Sequence, residues 1–189
     1  MPPVPVLFNK YNNALNHHHG QIDVSSGEAT RYDYEGELVV VIGREVARVD
    51  EADALSCVLG YTVGNDFSAR DLQMRTGQWM IGKTGDGWAP VGPYLVGAAT
   101  LDPAPLRIET RVNGEVRQAF STADMIFDCA ALVAYCSRMM TLKPGDLIFT
   151  GTSEGVILGY PRERRVWLKA GDVVTTTIER IGTLEFSLV

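Results

Sequence analysis

The sequence predicts a mainly β fold with two short helices, an α+β class, and three observations support this prediction. Apolar runs are short and β-branched, as from Leu38 to Ile42, where Gly43 ends the run; such runs suit strands. Asn113-Gly114 separates two alternating segments, which is a strong hairpin signal. Helical periodicity is confined to short segments, so sheets should dominate the fold.

Length and composition indicate one globular domain over residues 1–189. This length is enough for one full core, and the chain has no internal repeat, low-complexity tract or linker. Apolar residues make up 46% and charged residues 21%, as in ordinary globular proteins. The net charge of −6 comes without a basic block, which argues against nucleic acid or an anionic membrane as partner.

The cysteines and the start of the chain bear on the cellular compartment in which the protein is expected. Cys57, Cys129 and Cys136 cannot all pair, and they lack metal-ligand spacing. No apolar signal segment follows Met1, and no long apolar run occurs later. A reduced, cytoplasmic location is therefore expected.

The first segment has an apolar run, Val4 to Phe8, and then a loop rich in Asn, Gly and Ser that contains His17-His18-His19. Three consecutive histidines could bind a borderline metal or supply a base near neutral pH. The alternative is a solvated loop, which is the more common outcome for such a run.

The next segment, Tyr32 to Gly43, is predicted to be a strand that is polar at its start and buried at its end. Glu35 and Glu37 are two residues apart, so their side chains leave the same face. Neighbouring carboxylates repel, and a buried pair needs a proton, a basic side chain or a cation. A hard divalent metal suits oxygen ligands. A solvated strand end is the alternative.

A helix is predicted after this strand. Asp50 would cap its N-terminus, Leu55, Val58 and Leu59 would form its core face, and Gly60 would end it.

A second strand, Tyr61 to Asp66, is predicted to stop on an acid and to turn into a helical segment. Arg70 and Gln73 are three residues apart, so one helical face can present both near Asp66. A surface ion pair of Arg70 with Asp71 or Asp66 is the alternative.

The segment Trp79 to Pro90 is dense in glycine and aromatic residues around a single lysine, Lys83. Glycines allow close backbone approach to a ligand, and aromatic rings exclude water from it. Lys83 could clamp a carboxylate or an enolate oxygen. The segment lacks the spacing of a phosphate loop, and an exposed loop lysine is the alternative.

Most of the second half is predicted to be structural. It should contain a hairpin from Arg107 to Phe120, a helix over 129–140 and a terminal hairpin over 173–189. The core stripe of that helix should comprise Leu132, Tyr135, Cys136 and Met139.

One loop in this half suits ligand binding. A strand from Leu147 to Thr150 runs into Gly151 to Val156, a loop of small and hydroxyl residues that includes Thr152. Backbone N–H groups and Thr hydroxyls in such a loop can hold a carboxylate.

Four segments together resemble the fumarylacetoacetate hydrolase family. They are Tyr34 to Gly43, Gly64 to Gln73, Lys83 with Asp86 to Pro93, and Gly145 to Thr152. The match extends over nearly the whole chain, from Pro5 to Lys10 through to the last hairpin. The resemblance implies a β-sandwich roll of mixed sheets, usually a homodimer, with residues 1–189 as one catalytic domain.

The resemblance also implies a site. Glu35, Glu37 and Asp66 would bind one Mg²⁺ or Mn²⁺, or Ca²⁺ as in some relatives. The catalytic and substrate-facing residues would be Arg70, Gln73, Lys83, Gly151 and Thr152. Family substrates are small 2-oxo or 1,3-diketo acids.

The implied activities resemble those of acylpyruvases, oxaloacetate decarboxylases and 2-hydroxyhepta-2,4-diene-1,7-dioate isomerases. They are C–C bond hydrolysis, decarboxylation and keto–enol isomerisation through a metal-bound enolate. Lys83 and the Thr152 loop would stabilise the charge of that enolate.

One departure from the family pattern bears on the reaction. The family takes an acid–base His, often paired with a Glu, from a segment N-terminal to Pro5 to Phe8, and this segment is expected to be absent. His17 to His19 and Glu28 lie elsewhere relative to the motif. Hydrolysis needs such a base more than decarboxylation or tautomerisation does. A catalytically silent member that binds metal and oxo-acid without turnover is therefore the alternative.

Overall fold

The computed structural model describes residues 2–189. Its strands are β1 Leu15–Asn16, β2 Gly20–Ile22, β3 Tyr32–Asp33, β4 Gly36–Ile42, β5 Val58–Asn65, β6 Ser68–Ala69, β7 Ala89–Pro90, β8 Val96–Gly97, β9 Arg107–Val112, β10 Glu115–Ser121, β11 Leu147–Phe149, β12 Val173–Ile178 and β13 Gly182–Leu188. Its helices are α1 Glu51–Ala54, α2 Arg70–Gln73 and α3 Cys129–Met139. The predicted mainly β class with short helices is confirmed, with three α-helices where two were expected.

Two larger sheets organise the molecule. One has the strand order β10-β9-β12-β13-β2, the other has the order β11-β4-β5-β8, and the pairs β1-β7 and β3-β6 form small separate sheets. The β13-β2 and β1-β7 pairs are parallel, whereas the others are antiparallel. The predicted mixed sheets are therefore confirmed.

The main core lies around β4, whose seven residues are all buried. Leu38 and Val40 of this strand share one apolar cluster with Ile108 of β9, Leu184 of β13 and Val133 of α3. A strand covered on both faces needs a continuous apolar run, which the sequence supplies after Glu37. The acids at the start of β4 are thus continuous with a strand that is packed in the main core.

The helix predicted to end at Gly60 is much shorter than expected. Asp50 does stand at its N-cap, but α1 ends at Ala54, and a 3-10 turn leads directly into β5. Leu55 and Leu59 are 37% and 53% exposed, so the predicted core face was wrong for both, whereas Val58 is buried as predicted but in β5.

Gly60 lies inside β5 for a steric reason. A Cβ atom at this position would come within 2.3 Å of the Val96 carbonyl oxygen on β8. Glycine therefore permits close pairing of the two strands here, and it does not terminate a helix.

The other predicted elements agree better with the structure. Both hairpins form, β9-β10 and β12-β13. In α3, Leu132 and Cys136 are buried as predicted, but Met139 is 85% exposed because it is the last residue of the helix. Cys129 and Val133 complete the buried face instead.

All three cysteines are buried and unpaired. Burial raises the pKa of the Cys129 thiol to about 12 and also raises the pKa of Cys136. Cys129 and Cys136 pack in the main core, as predicted for packing residues.

The His17-His18-His19 run lies on the turn between β1 and β2. His18 Nδ1 accepts a hydrogen bond from the Glu185 N–H at 3.1 Å, and His19 Nδ1 lies 3.1 Å from a Glu185 carboxylate oxygen. The run is therefore part of the surface next to β13, consistent with the loop alternative. None of the helices described within residues 2–189 is both long and apolar enough to cross a membrane.

Candidate metal centre

Three acidic side chains meet where β4 begins and β5 ends. Glu35 directly precedes β4, Glu37 is its second residue, and Asp66 follows β5. The antiparallel register pairs Glu37 with Gly64, and the Asp66 N–H donates to the Glu35 carbonyl oxygen at 2.9 Å. One carboxylate oxygen from each acid lies within 4.8 Å of the other two, and all three residues are buried.

Lys83 bridges two of these acids. Its Nζ atom donates to Glu35 Oε2 and to Asp66 Oδ2, each at 2.8 Å. Burial by itself would lower the pKa of Lys83, but Glu35 and Asp66 raise it above its ordinary value. Lys83 is thus a charged ammonium inside the site and not an exposed loop lysine.

Glu37 differs from its two neighbours because no basic side chain bonds to it within residues 2–189. Its described partner is the Gly151 N–H, which donates to Oε2 at 2.8 Å. Burial raises the pKa of Glu37 well above its ordinary value, and the charges of Asp66 and Glu35 add to the increase. Glu37 is therefore the acid that gains most from an additional cation.

Arg70 is buried in the site rather than paired on the surface. Its guanidinium lies 2.6 Å from Glu35 Oε1, and Nε donates to Asp33 Oδ2 at 2.8 Å. Its third contact goes to Gln73 Oε1 at 2.9 Å, as their shared helical face predicts. Arg70 therefore orients both a candidate metal ligand and a candidate substrate contact.

Asp33 belongs to this site, although sequence reasoning missed it. Its carboxylate accepts from Arg70 and from the N–H groups of Ile157 and Leu158, at 2.8 and 3.0 Å. Asp33 thereby connects the acidic strand to the loop after β11. The signal was available, since Asp33 precedes Glu35 by the same two residues that separate Glu35 from Glu37.

Lys10 is a second residue that was missed. Its Nζ atom donates to Asp66 Oδ1 at 2.7 Å and to the Phe67 carbonyl oxygen at 3.2 Å. Burial would raise the pKa of Asp66, but Lys10 and Lys83 hold it below its ordinary value. The only local signal was a basic residue two positions after the apolar run Val4 to Phe8.

The Gly151-Thr152 loop contacts the strand that carries the acids. The Thr152 hydroxyl donates to the Gly36 carbonyl oxygen at 2.9 Å and accepts from Gln118 Nε2 at 2.8 Å. The Gly151 N–H is engaged by Glu37. Both groups already bond protein atoms, so their contact with substrate stays a prediction.

The site opens into a cleft of about 1380 Å³. All the predicted site residues line it: Glu35, Glu37, Asp66, Arg70, Gln73, Lys83, Gly151 and Thr152. Phe8 and Trp79 pack edge to face with ring centroids 5.7 Å apart, and Lys83 Nζ lies 5.0 Å from the Phe8 centroid. An aromatic wall therefore stands beside the ammonium group.

The donor set fits a hard dication. Four buried carboxylates, from Asp33, Glu35, Glu37 and Asp66, face three basic side chains, from Lys10, Arg70 and Lys83, which leaves one excess negative charge. The three grouped ligands are all oxygen donors, which Mg²⁺ and Mn²⁺ prefer. The arrangement can thus hold a divalent ion beside a lysine and an amide donor.

Comparisons with known proteins show what the chain is similar to. A family model described as Fumarylacetoacetate (FAA) hydrolase C-terminal matches residues 1–189. The chain is 45% identical to the oxaloacetate tautomerase YisK of Bacillus subtilis strain 168, over 97% of the chain and 61% of that relative. The chain thus spans less than two thirds of the length of this curated relative.

Two solved structures are similar over the whole fold. One is 5-carboxymethyl-2-hydroxymuconate delta-isomerase from Mycobacterium smegmatis, with a TM-score of 0.90 and 42% identity, covering 100% of this chain and 70% of that one. The other is fumarylpyruvate hydrolase from Pseudomonas aeruginosa in complex with Mn²⁺ and pyruvate, with a TM-score of 0.86 and 34% identity. It covers 96% of this chain and 77% of that one.

Proposed function

The chain belongs to the fumarylacetoacetate hydrolase family, and from this premise we propose that it is a divalent-metal-dependent enzyme acting on small 2-oxo or 1,3-diketo acids. One observation carries the proposal: Glu35, Glu37 and Asp66 converge in a buried group with Lys83 bonded to two of them. The relatives support it, since they include a tautomerase, an isomerase and a hydrolase solved with Mn²⁺ and pyruvate.

The proposed metal ligands are Glu35, Glu37 and Asp66. Their oxygen-only set suits Mg²⁺ or Mn²⁺, with Ca²⁺ as a third candidate. When bound, such an ion supplies Lewis-acid polarisation of the substrate oxo group. Arg70 forms an ion pair with Glu35, and the Gly151 N–H donates a hydrogen bond to Glu37. These contacts orient both carboxylates without a bound ion.

Lys83 is the proposed electrostatic catalyst. An ammonium has three N–H donors, and two of them go to Glu35 and Asp66. The third is available for a substrate oxygen on which negative charge develops. A preorganised donor of this kind lowers the barrier by roughly 2.7–4 kcal/mol.

Gln73 is the proposed neutral substrate donor, and Arg70 positions it. Because Arg70 donates to the Gln73 side-chain oxygen, the Gln73 amide N–H₂ is left to bond a substrate carboxylate or oxo group. Gly151 and Thr152, which also line the cleft, would complete the substrate subsite. The rings of Phe8 and Trp79 exclude water near Lys83.

C–C hydrolysis, decarboxylation and keto–enol isomerisation all place an electron pair on an oxygen next to Lys83. Among them, keto–enol isomerisation has the support of the tautomerase relative. The alternative is a silent member that binds metal and oxo-acid without turnover. It is favoured by the protein bonds that already engage the Gly151 N–H and the Thr152 hydroxyl.

The test is an ultraviolet assay on oxaloacetate and a panel of acylpyruvates, with Mg²⁺ or Mn²⁺ and then with excess EDTA. We expect metal-dependent loss of the enol or diketo absorbance on at least one compound. Absence of a metal-dependent change on every compound, together with Mn²⁺ binding, would favour the silent binder. Absence of both would reject the metal-dependent function.

We also propose that the chain forms a homodimer in a reducing compartment such as the cytoplasm, with residues 1–189 as one catalytic unit. The exposed apolar side chains of Ile126, Met139 and Met140 are of the kind that an interface would cover. The buried, unpaired cysteines are compatible with reducing conditions. Light scattering after size exclusion measures the oligomeric state directly.

A further inference from the structure

Lys10 is the second lysine, besides Lys83, that bonds the candidate metal ligand Asp66. Its side chain is 10% exposed, and its Nζ atom lies 2.7 Å from Asp66 Oδ1. Lys83 takes the other oxygen of the same carboxylate at 2.8 Å. Asp66 is thus held by a lysine at each oxygen, whereas Glu37 is held by none within residues 2–189.

The charge of the site depends on Lys10 in each state of ligation. With Lys10, and with every acid and base in its ionised form, the four buried carboxylates and three basic groups sum to one negative charge. A dication would make the site positive by one, and a bound oxo-acid monoanion would make it neutral. Without Lys10, the empty site would carry two negative charges. The site with the dication would be neutral, and the site with both the dication and the anion would carry one negative charge.

The positive charge of Lys10 has opposite consequences for the binding of the divalent ion and for the binding of the oxo-acid anion. Close, poorly solvated charges interact strongly, so a cation beside Asp66 opposes a dication at the same carboxylate. The same cation favours an anion that binds after the metal. A residue that only positioned Asp66 would instead strengthen the binding of both the divalent ion and the oxo-acid anion.

We propose that Lys10 sets the charge of this site, weakening the binding of the divalent ion and strengthening the binding of the oxo-acid anion. The inference rests on the proposed metal-dependent function. It makes Lys10 a positioning and charge-setting residue, distinct from Lys83, whose third donor is assigned to the substrate.

The variants separate charge from hydrogen bonding. Lys10→Met removes both, whereas Lys10→Gln removes the charge and keeps an N–H donor for Asp66. Lys10→Arg keeps the charge. Lys143→Met is the matched control, because Lys143 is an exposed lysine outside the cleft and its replacement changes the net charge equally.

The first measurement is calorimetric titration with Mn²⁺ alone. We expect Lys10→Met and Lys10→Gln to bind Mn²⁺ about tenfold more tightly than the unaltered protein, because the opposing charge is gone. Lys10→Arg and Lys143→Met should stay within about threefold of it. Native circular dichroism of each variant verifies that it is folded.

The second measurement is titration with oxalate, a planar dicarboxylate dianion that stands in for an enolised 2-oxo acid, at saturating Mn²⁺. We expect Lys10→Met and Lys10→Gln to bind oxalate about tenfold more weakly, again with little change in the two controls. The opposite signs of the two effects are the signature of charge setting. If Lys10→Met does not fold, Lys10→Gln supplies the same test.

Weaker binding of both Mn²⁺ and oxalate in the neutral variants would make Lys10 a structural anchor and would overturn the inference. Unchanged binding of both would overturn it as well. A failure of the unaltered protein to bind Mn²⁺ would reject the proposed function itself, and with it the role of Lys10. The last result differs from the first two because it appears before any variant is made.

Discussion

Lys83 contacts two carboxylates and borders the cleft, so its removal should affect the chemical step more than substrate binding. We expect Lys83→Met to lower kcat by roughly 10²–10³-fold, the usual effect of losing one preorganised donor. The measurement is steady-state turnover of the best panel substrate with saturating Mg²⁺. Lys143→Met is the control, and an unchanged kcat in Lys83→Met would refute the catalytic role.

Glu37 is a buried acid whose pKa is raised by burial, so its charge is costly to the fold when no dication is present. We expect Glu37→Gln to leave the protein in EDTA as stable as the unaltered chain, or more stable by about 1–3 kcal/mol. The same variant should lose the stabilisation produced by Mn²⁺. Urea denaturation with EDTA and with Mn²⁺ measures both effects.

A loss of more than about 1 kcal/mol in EDTA would contradict this prediction, since it would show that the Glu37 charge stabilises the ion-free fold. Glu185→Gln is a suitable control. Glu185 is a partly exposed acid on β13, and its carboxylate contacts His19 rather than the site.

Single residues also show what the sequence could and could not predict. The grouping of Glu35, Glu37 and Asp66 was expected from the resemblance to the family, whereas the local patterns, alternation along a strand and an acid at a strand end, left other outcomes open. Lys10 and Asp33 act through partners that are distant in sequence, the first through Asp66 and the second through Ile157. The spacing of Asp33 from Glu35 could have marked Asp33 as a candidate, but no local pattern specifies the partners of either residue.

At the scale of elements, the 3-10 helix Met80–Gly82 sets the position of Lys83 by packing against α2. A Cβ on Gly82 would lie 2.3 Å from the Gln73 backbone nitrogen, and a backbone atom cannot move aside cheaply. We expect Gly82→Ala to destabilise the protein by about 1–3 kcal/mol and to reduce turnover by displacing Lys83. Urea denaturation and turnover assays measure the two effects.

Gly77→Ala provides the matched control for this prediction. Gly77 lies in the same region of the chain, and no atom lies within 4 Å of the position its Cβ would take. A Gly82→Ala protein with the stability and turnover of Gly77→Ala would show that the contact between the 3-10 helix and α2 does not position Lys83.

Elements differ in how well their limits could be predicted. The Asn113-Gly114 hairpin and the terminal hairpin form as expected, because turn residues and alternation specify them locally. The segment after Asp50 follows a helical pattern but becomes β5, since pairing with β4 and β8 overrides local propensity. Gly60 was predicted to end a helix, but it lies in β5, where the absence of a side chain lets β8 approach closely.

For the molecule as a whole, an ion that binds only the folded site must stabilise the fold. At one hundred times its dissociation constant, we expect Mn²⁺ to add about 2.7 kcal/mol, which corresponds to a rise in Tm of roughly 5–10 °C for a chain of this size. Calorimetric scans with Mn²⁺ and with EDTA give the difference. Equal Tm values under the two conditions would contradict a metal site here.

The buried thiols give an independent measure of global stability. The pKa values of Cys129 and Cys136 are raised, so these two thiols favour the fold below the ordinary thiol pKa of about 8.5 and lose that effect as the pH rises toward about 12, the value for Cys129. At pH 8 we expect no thiol to react with an aromatic disulfide reagent until urea unfolds the chain. Rapid reaction of even one thiol in the native protein would contradict this expectation.

The hydrogen bond from Gly151 to Glu37 joins residues that are 114 positions apart. On a ribosome that adds about 5–20 residues per second, the acidic strand would emerge roughly 6–23 s before its amide partner is made. During that interval the nascent polypeptide has the acidic residues of the site but lacks the amide that orients Glu37. Loading with metal is therefore expected to be a late event in biosynthesis, after translation has passed residue 151.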